Sequence, residues 1–199
     1  LGNRVTRGAF PPSWRTLHLA DIAPTVRELA DLPPRAGEDA PIASLVADLT
    51  EELVAMGHDV TLFASSDSST SAKLAPMRDQ ALRLDPSVID WIAIYMRMME
   101  LIYRRAGEFD VLHFHTDYFP LSLFSRQRTP FLTTLHGRLD IPEFKDIYEL
   151  IDAPFVSISD SQRRPIPRLN WIRTVHHGMS ANLLTPQSLE QDYLAFLGR

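Results

Sequence analysis

Imidazoles recur in this sequence beside glycines, arginines and carboxylates. The groups are His113-Phe-His115-Thr-Asp117, His136-Gly137-Arg138-Leu-Asp140, Ser159-Asp-Ser-Gln162-Arg163-Arg164 and His176-His177-Gly178. The first offers two alternate imidazoles and a carboxylate, the spacing of metal ligands, because residues i and i+2 of a strand share a face. His136 offers a proton donor or acceptor, or a hydrogen bond to a phosphate or sugar hydroxyl. Arg138, Arg163, Arg164 and Arg168 offer planar forks that suit phosphate. Ser159 to Gln162 reads as the opening of a helix whose N–H groups favour an anion. Each has a plainer reading: rim histidines bonded to backbone or orienting a loop, and arginines paired in solvent with Asp140 and Asp160.

These groups share one trait, which is that each follows an apolar, β-prone run. The expected strands are 110–115, 131–135, 155–159 and 171–175. Buried parallel strands read this way, and in an open α/β sheet the ligand-binding rim lies at their C-terminal ends. The four groups are therefore expected to gather along one rim. Further upstream, 17–23 is expected as a first strand, followed by a long connection with Pro33, Pro34 and Gly37. Ile42, Leu45, Val46, Leu49 and Leu53 recur at helical spacing up to a glycine cap at Gly57, and 58–64 is a second strand. Residues 81–84 read as a short strand. Asp85-Pro86 reads as the cap and first turn of a long helix with Ile89, Ile92, Met96, Met99, Leu101 and Ile102 on its apolar face. The cluster Met96, Met98 and Met99 reads as core filling plus one exposed methionine. Helices are expected at 118–126 and 143–150. Alternation of strand and helix gives the fold class: α/β, a Rossmann-like doubly wound parallel sheet with right-handed crossovers.

The 199 residues are 45% hydrophobic and 23% charged, which suits one good core or two small ones. Cysteine is absent, so disulfides, zinc-thiolate sites and thiol nucleophiles are excluded; a reducing, cytoplasmic location is the expectation. A net charge of −5 argues against nucleic acid as a partner. No apolar run reaches the length of a membrane span, and peripheral membrane contact stays open. Neither a Walker loop, nor Gly-x-Gly-x-x-Gly, nor a Gly-x-Ser-x-Gly elbow is present.

The stretch Thr50-Glu-Glu-Leu-Val-Ala-Met-Gly-His-Asp-Val-Thr-Leu-Phe-Ala64 resembles a helix-and-strand segment of family 4 glycosyltransferases. So do Phe109-Asp-Val-Leu-His-Phe-His115, Thr133-Thr-Leu-His-Gly-Arg138, Val156-Ser-Ile-Ser-Asp-Ser-Gln-Arg163, Val175-His-His-Gly178 and Tyr193-Leu-Ala-Phe-Leu-Gly-Arg199. They fall in the family's order and cover most of 17–199. The resemblance is to the N-terminal, acceptor-side half of a GT-B, retaining enzyme. Residues 1–15, with Gly8, Pro11, Pro12 and Ser13 and no periodicity, read as an irregular arm; the resemblance implies a Rossmann-like domain at 16–178 and, at 179–199, a linker with the first strand of a C-terminal donor-binding domain. The chain is expected to be inactive without that domain, supplied in cis or in trans.

The resemblance implies transfer of a sugar, of hexosyltransferase type, from a nucleotide-diphosphate sugar to an unknown acceptor hydroxyl. Retention is implied, with no metal and no cofactor beyond the donor. His136 would match the histidine near the transferred sugar and phosphate, and Arg199 the arginine that neutralises the leaving diphosphate. The substrate- and phosphate-binding set would be Gly37, His115, Asp117, Gly137, Arg138, Ser159, Gln162, Arg163, His177, Gly178 and Arg199. The family's Gly-Gly pair before the first long helix is replaced by a single Gly37, and Pro41 has no N–H to offer. Two alternatives stand beside this reading. One is a non-catalytic half-protein or subunit that binds sugar or nucleotide. The other is a metallohydrolase using His113, His115 and Asp117, whose His-x-His-x-Asp resembles the start of the metallo-β-lactamase-type signature; Tyr118 stands where that signature wants a further histidine.

Overall fold

The computed structural model describes residues 15–19 and 41–178. Strand β1 is Arg15–Leu19. Helix α1 (Pro41–Ala55) leads to β2 (Asp59–Ser65). Its end is a Schellman motif, with His58 N–H donating to Leu53 O at 3.1 Å and Gly57 N–H to Val54 O at 2.9 Å. Gly57 sits at φ +89°, where a side chain is disfavoured, which explains the glycine. Next come β3 (Lys73–Arg78), α2 (Trp91–Arg105) and β4 (Val111–Phe114). A short α3 (Leu121–Phe124), β5 (Phe131–Leu135), α4 (Pro142–Leu150), β6 (Phe155–Ser157) and β7 (Trp171–Thr174) complete the described chain.

All seven strands are parallel, in the order β3-β2-β1-β4-β5-β6-β7. The order reverses between β1 and β4, which makes the sheet doubly wound, as expected from the alternation of elements. Alternation along single strands shows the two faces. Leu62 and Ala64 pack with Val46 of α1. Phe63, between them, joins a larger core with Met98, Met99 and Ile102 of α2, Phe124 of α3 and Tyr148 of α4. On β4, Leu112 and Phe114 enter that larger core, so His113 and His115 point to the opposite face.

Several sequence expectations need correction. Residues 81–84 are not a strand; Leu82–Leu84 is a single 3-10 turn. The strand lies earlier, at Lys73–Arg78, and Pro76 disguised it. Among the described residues β3 is the edge of the sheet, where a strand tolerates proline. The long helix starts at Trp91 rather than after Asp85. Asp85 accepts from Ser87 N–H at 3.1 Å and pairs with Arg78, while Asp90 caps the helix by accepting from Ala93 N–H at 3.1 Å. Ile89 is consequently 99% exposed and lies outside the helix. Tyr95, Met98, Met99 and Ile102 form the buried face, and Met96 is the exposed methionine. The helix expected at 118–126 is confined to Leu121–Phe124, and the strand expected at 155–159 ends at Ser157.

Candidate functional site

The C-terminal rim carries the histidines. His113 closes toward the neighbouring strand, its Nε2 lying 2.7 Å from Thr134 Oγ1. His115 and His136 each follow directly on the last residue of adjacent strands, β4 and β5. His115 Nδ1 lies 2.9 Å from His136 Nε2, and His136 Nδ1 lies 3.1 Å from Nε2 of His177, on the loop after β7. Strand periodicity brings about the first contact: His113, His115, Thr134 and His136 stand on one face at spacing two. The second depends on the β6–β7 edge. There Val175 N–H donates to Ser157 O at 2.8 Å, and His176 Nδ1 lies 3.1 Å from Ile158 O.

Burial favours the neutral form of His113, His136 and His177. It pushes the pKa of His113 down to about 4. For His136 burial is again the largest cause, followed by His177 and His113, and the value falls to about 3. His177 is lowered by burial as well. A neutral ring has one donor and one acceptor nitrogen. The three rings therefore form a single-file chain: if His115 donates to His136, then His136 donates to His177, and the reverse order reverses both.

Asp117 turns away from this chain. Its φ of 46° is left-handed, a region that aspartate tolerates better than most residues. Burial pushes its carboxyl up to about 6. The Tyr118 and Tyr148 phenols are raised by burial first and by the Asp117 charge second. The Tyr148 hydroxyl is buried without a hydrogen-bond partner among the described residues. Among those residues no group of three or more His, Cys, Asp or Glu side chains is placed to hold a metal ion, so His113, His115 and Asp117 do not converge as ligands.

Gln162, Ser159, Arg163 and Arg138 have structural partners. Gln162 Nε2 donates to Leu135 O at 3.0 Å and Gly137 O at 2.9 Å, while its Oε1 accepts from Ile158 N–H at 2.9 Å. It ties the end of β5 to the end of β6. Ser159 Oγ accepts from Gln162 N–H at 3.1 Å, and Ser161–Arg163 is only a 3-10 turn, so the expected anion-binding helix is not there. Arg163 donates from Nε to Ser157 Oγ at 2.8 Å and lies over the Trp171 ring. Arg138 grips Asp140 in a two-bond fork at 2.8 and 2.7 Å in solvent. Arg164, Arg168 and Gly178 are exposed. The arginines thus do not assemble into one cationic pocket. Gly37 and Arg199 lie outside the described residues.

Sequence reasoning passed over Thr134, the partner of His113, and the pair Ser157 and Thr174, which bond to each other at 2.9 Å, with Thr174 donating to Asp160 at 2.9 Å. Thr134 was detectable, since it precedes His136 by two residues on the same face. Among the described residues no helix is long and apolar enough to cross a membrane.

A family model described as Glycosyltransferase Family 4 matches residues 42–198. No curated protein matches the sequence.

Proposed function

We infer, from the premise that this chain belongs to glycosyltransferase family 4, that it transfers a sugar from a nucleotide-diphosphate donor to an acceptor hydroxyl with retention. The bond from the anomeric carbon to phosphate breaks, and its electron pair moves onto the diphosphate. The acceptor oxygen forms the new bond and passes its proton to the departing diphosphate. The observation that supports the reading is His136, set at the C-terminal end of β5 with both ring nitrogens engaged by imidazoles. A neutral, oriented ring there suits a hydrogen bond to the sugar or phosphate, placed where charge develops on the leaving group. We further propose that residues 16–178 form the acceptor-facing domain, and that a donor-binding domain, in cis or in trans, completes the cleft.

The test uses the protein as its gene encodes it. A panel of uridine, guanosine and adenosine diphosphate sugars is supplied with hydroxyl acceptors, and released nucleoside diphosphate is measured. Release from one donor, retention at the anomeric carbon, and a drop of about 10²-fold or more in kcat for His136→Ala are expected, the scale on which a well-placed donor acts. His136→Ala is expected to cut turnover far more than stability, whose loss is confined to about 1–3 kcal/mol because the buried His115 Nδ1 loses its partner. Nucleotide-sugar binding without any release would favour a non-catalytic binding half, and wild-type turnover in His136→Ala would return His136 to an ordinary rim histidine.

A further inference from the structure

We propose that Nδ1 is the ligand-facing atom of His136 and that His177 is its exchangeable partner, holding that nitrogen until a substrate oxygen takes its place. The inference rests on reading His136 as the residue that meets substrate, and it deepens that reading. As the structure stands, neither His136 nitrogen is open, because His115 engages Nε2 and His177 engages Nδ1. One partner must leave before an oxygen can bond this ring.

The two partners are held very differently. His115 is 3% exposed, directly follows β4 and is succeeded by buried Thr116. His177 is exposed and sits beyond the end of β7. The loop is pinned at Val175 and His176. After them comes Gly178, which is exposed. His136 itself is fixed, since the carbonyls on either side of it, Leu135 O and Gly137 O, are both held by Gln162. Leu139, just beyond, is 3% exposed. An approaching ligand therefore displaces His177 and leaves His115 and His136 in place.

The retained bond decides what the ligand meets. With His115 donating to Nε2, His136 Nδ1 carries the proton and donates to the incoming oxygen; with His115 accepting, Nδ1 keeps its lone pair, accepts from a substrate hydroxyl, and is the nitrogen that an acylating reagent attacks once His177 is gone. His115 and His177 are thus positioning residues with opposite roles: one orients the ring and the other guards its working nitrogen.

Diethylpyrocarbonate, which acylates open imidazole nitrogens, tests this without any substrate. Peptide mass spectrometry of the 199-residue chain gives the rate at each histidine. In the wild type, His177 is expected to react first and His136 slowly. His177→Ala should speed His136 about fivefold, the factor that one net hydrogen bond represents. His177→Gln, whose amide can still bond the ring, should return His136 toward the wild-type rate. If His136 reacts as fast as His177 in the wild type, if His177→Ala leaves its rate unchanged, or if His177→Gln fails to restore protection, the proposal is wrong. The wild-type order of modification does not depend on any variant folding. Because no sugar nucleotide is involved, a negative result leaves the transferase reading standing, and absent turnover leaves this result untouched.

Discussion

His115 and His136, separated by 20 intervening residues in sequence, meet at 2.9 Å through Nδ1 and Nε2 across the ends of two adjacent parallel strands. The contact joins the ends of β4 and β5 through side chains where the backbone ladder has stopped. The lowered pKa values of His136 and of neighbouring His113 shape how the protein responds to acid.

His113 and His136 have folded-state pKa values of about 4 and about 3, below the ordinary 6.5. Between those values and 6.5 the unfolded chain binds more protons than the folded one. Their contribution is fully present above about 6.5 and is lost progressively as pH falls from there through the folded values of about 4 and about 3. The slope is at most about 1.4 kcal/mol per pH unit for each histidine. Urea unfolding at pH 7, 6 and 5 should show a midpoint that falls stepwise. A midpoint that is flat across this window would mean that the rings are hydrated and protonate freely.

Asp117 has the opposite sign. Its folded pKa is raised from 3.8 to about 6, so its contribution is present below about 3.8 and lost as pH rises through about 6. Asp117→Asn removes the charge and still accepts the left-handed φ. A gain on the order of 1–2 kcal/mol is expected at pH 7, discounted for the partial exposure of the carboxyl, and close to none at pH 4. Equal effects at both pH values would show that the buried charge is not the cause.

Gln162 fastens two strand ends with one amide. Gln162→Ala leaves Leu135 O, Gly137 O and Ile158 N–H without that partner. A loss of about 1–3 kcal/mol in chemical denaturation is expected. Amide exchange at Ile158 should accelerate more than in the core of β2. Uniform acceleration would indicate global destabilisation instead.

Gly57→Ala tests the α1 cap. There is open space around the position, so the effect is conformational and comes from φ +89°. About 1 kcal/mol of destabilisation is expected. An unchanged unfolding midpoint would mean that the Schellman turn relaxes at no cost.

The sheet was legible where strands are buried on both faces. β2, β4 and β5 are continuous apolar runs, and their bounds fell within a residue or two of the structure. β3 was hidden by Pro76, whose tolerance depends on edge position, and edge position is a property of strand order. The false helix start at Asp85 has a similar cause. Asp-Pro is a strong local cap signal, but Arg78, seven residues earlier, engages the Asp85 carboxylate from the end of β3.

The sequence by itself determined the parallel α/β architecture, the family, and the fact that several histidines reach one rim. Those properties follow from local periodicity, short-range turn chemistry and the order of segments. Only the tertiary structure decided which groups on that rim touch. It gave Arg138 and Arg163 separate partners, Asp140 and Ser157, and left Arg164 and Arg168 exposed. It sent Asp117 toward the tyrosines through a left-handed turn. It also placed His177 against His136, across 41 positions, because strand order brings the β7 loop to the end of β5. Bonds between rings are set by distances of a few tenths of an ångström, and a sequence fixes such distances only through the whole fold.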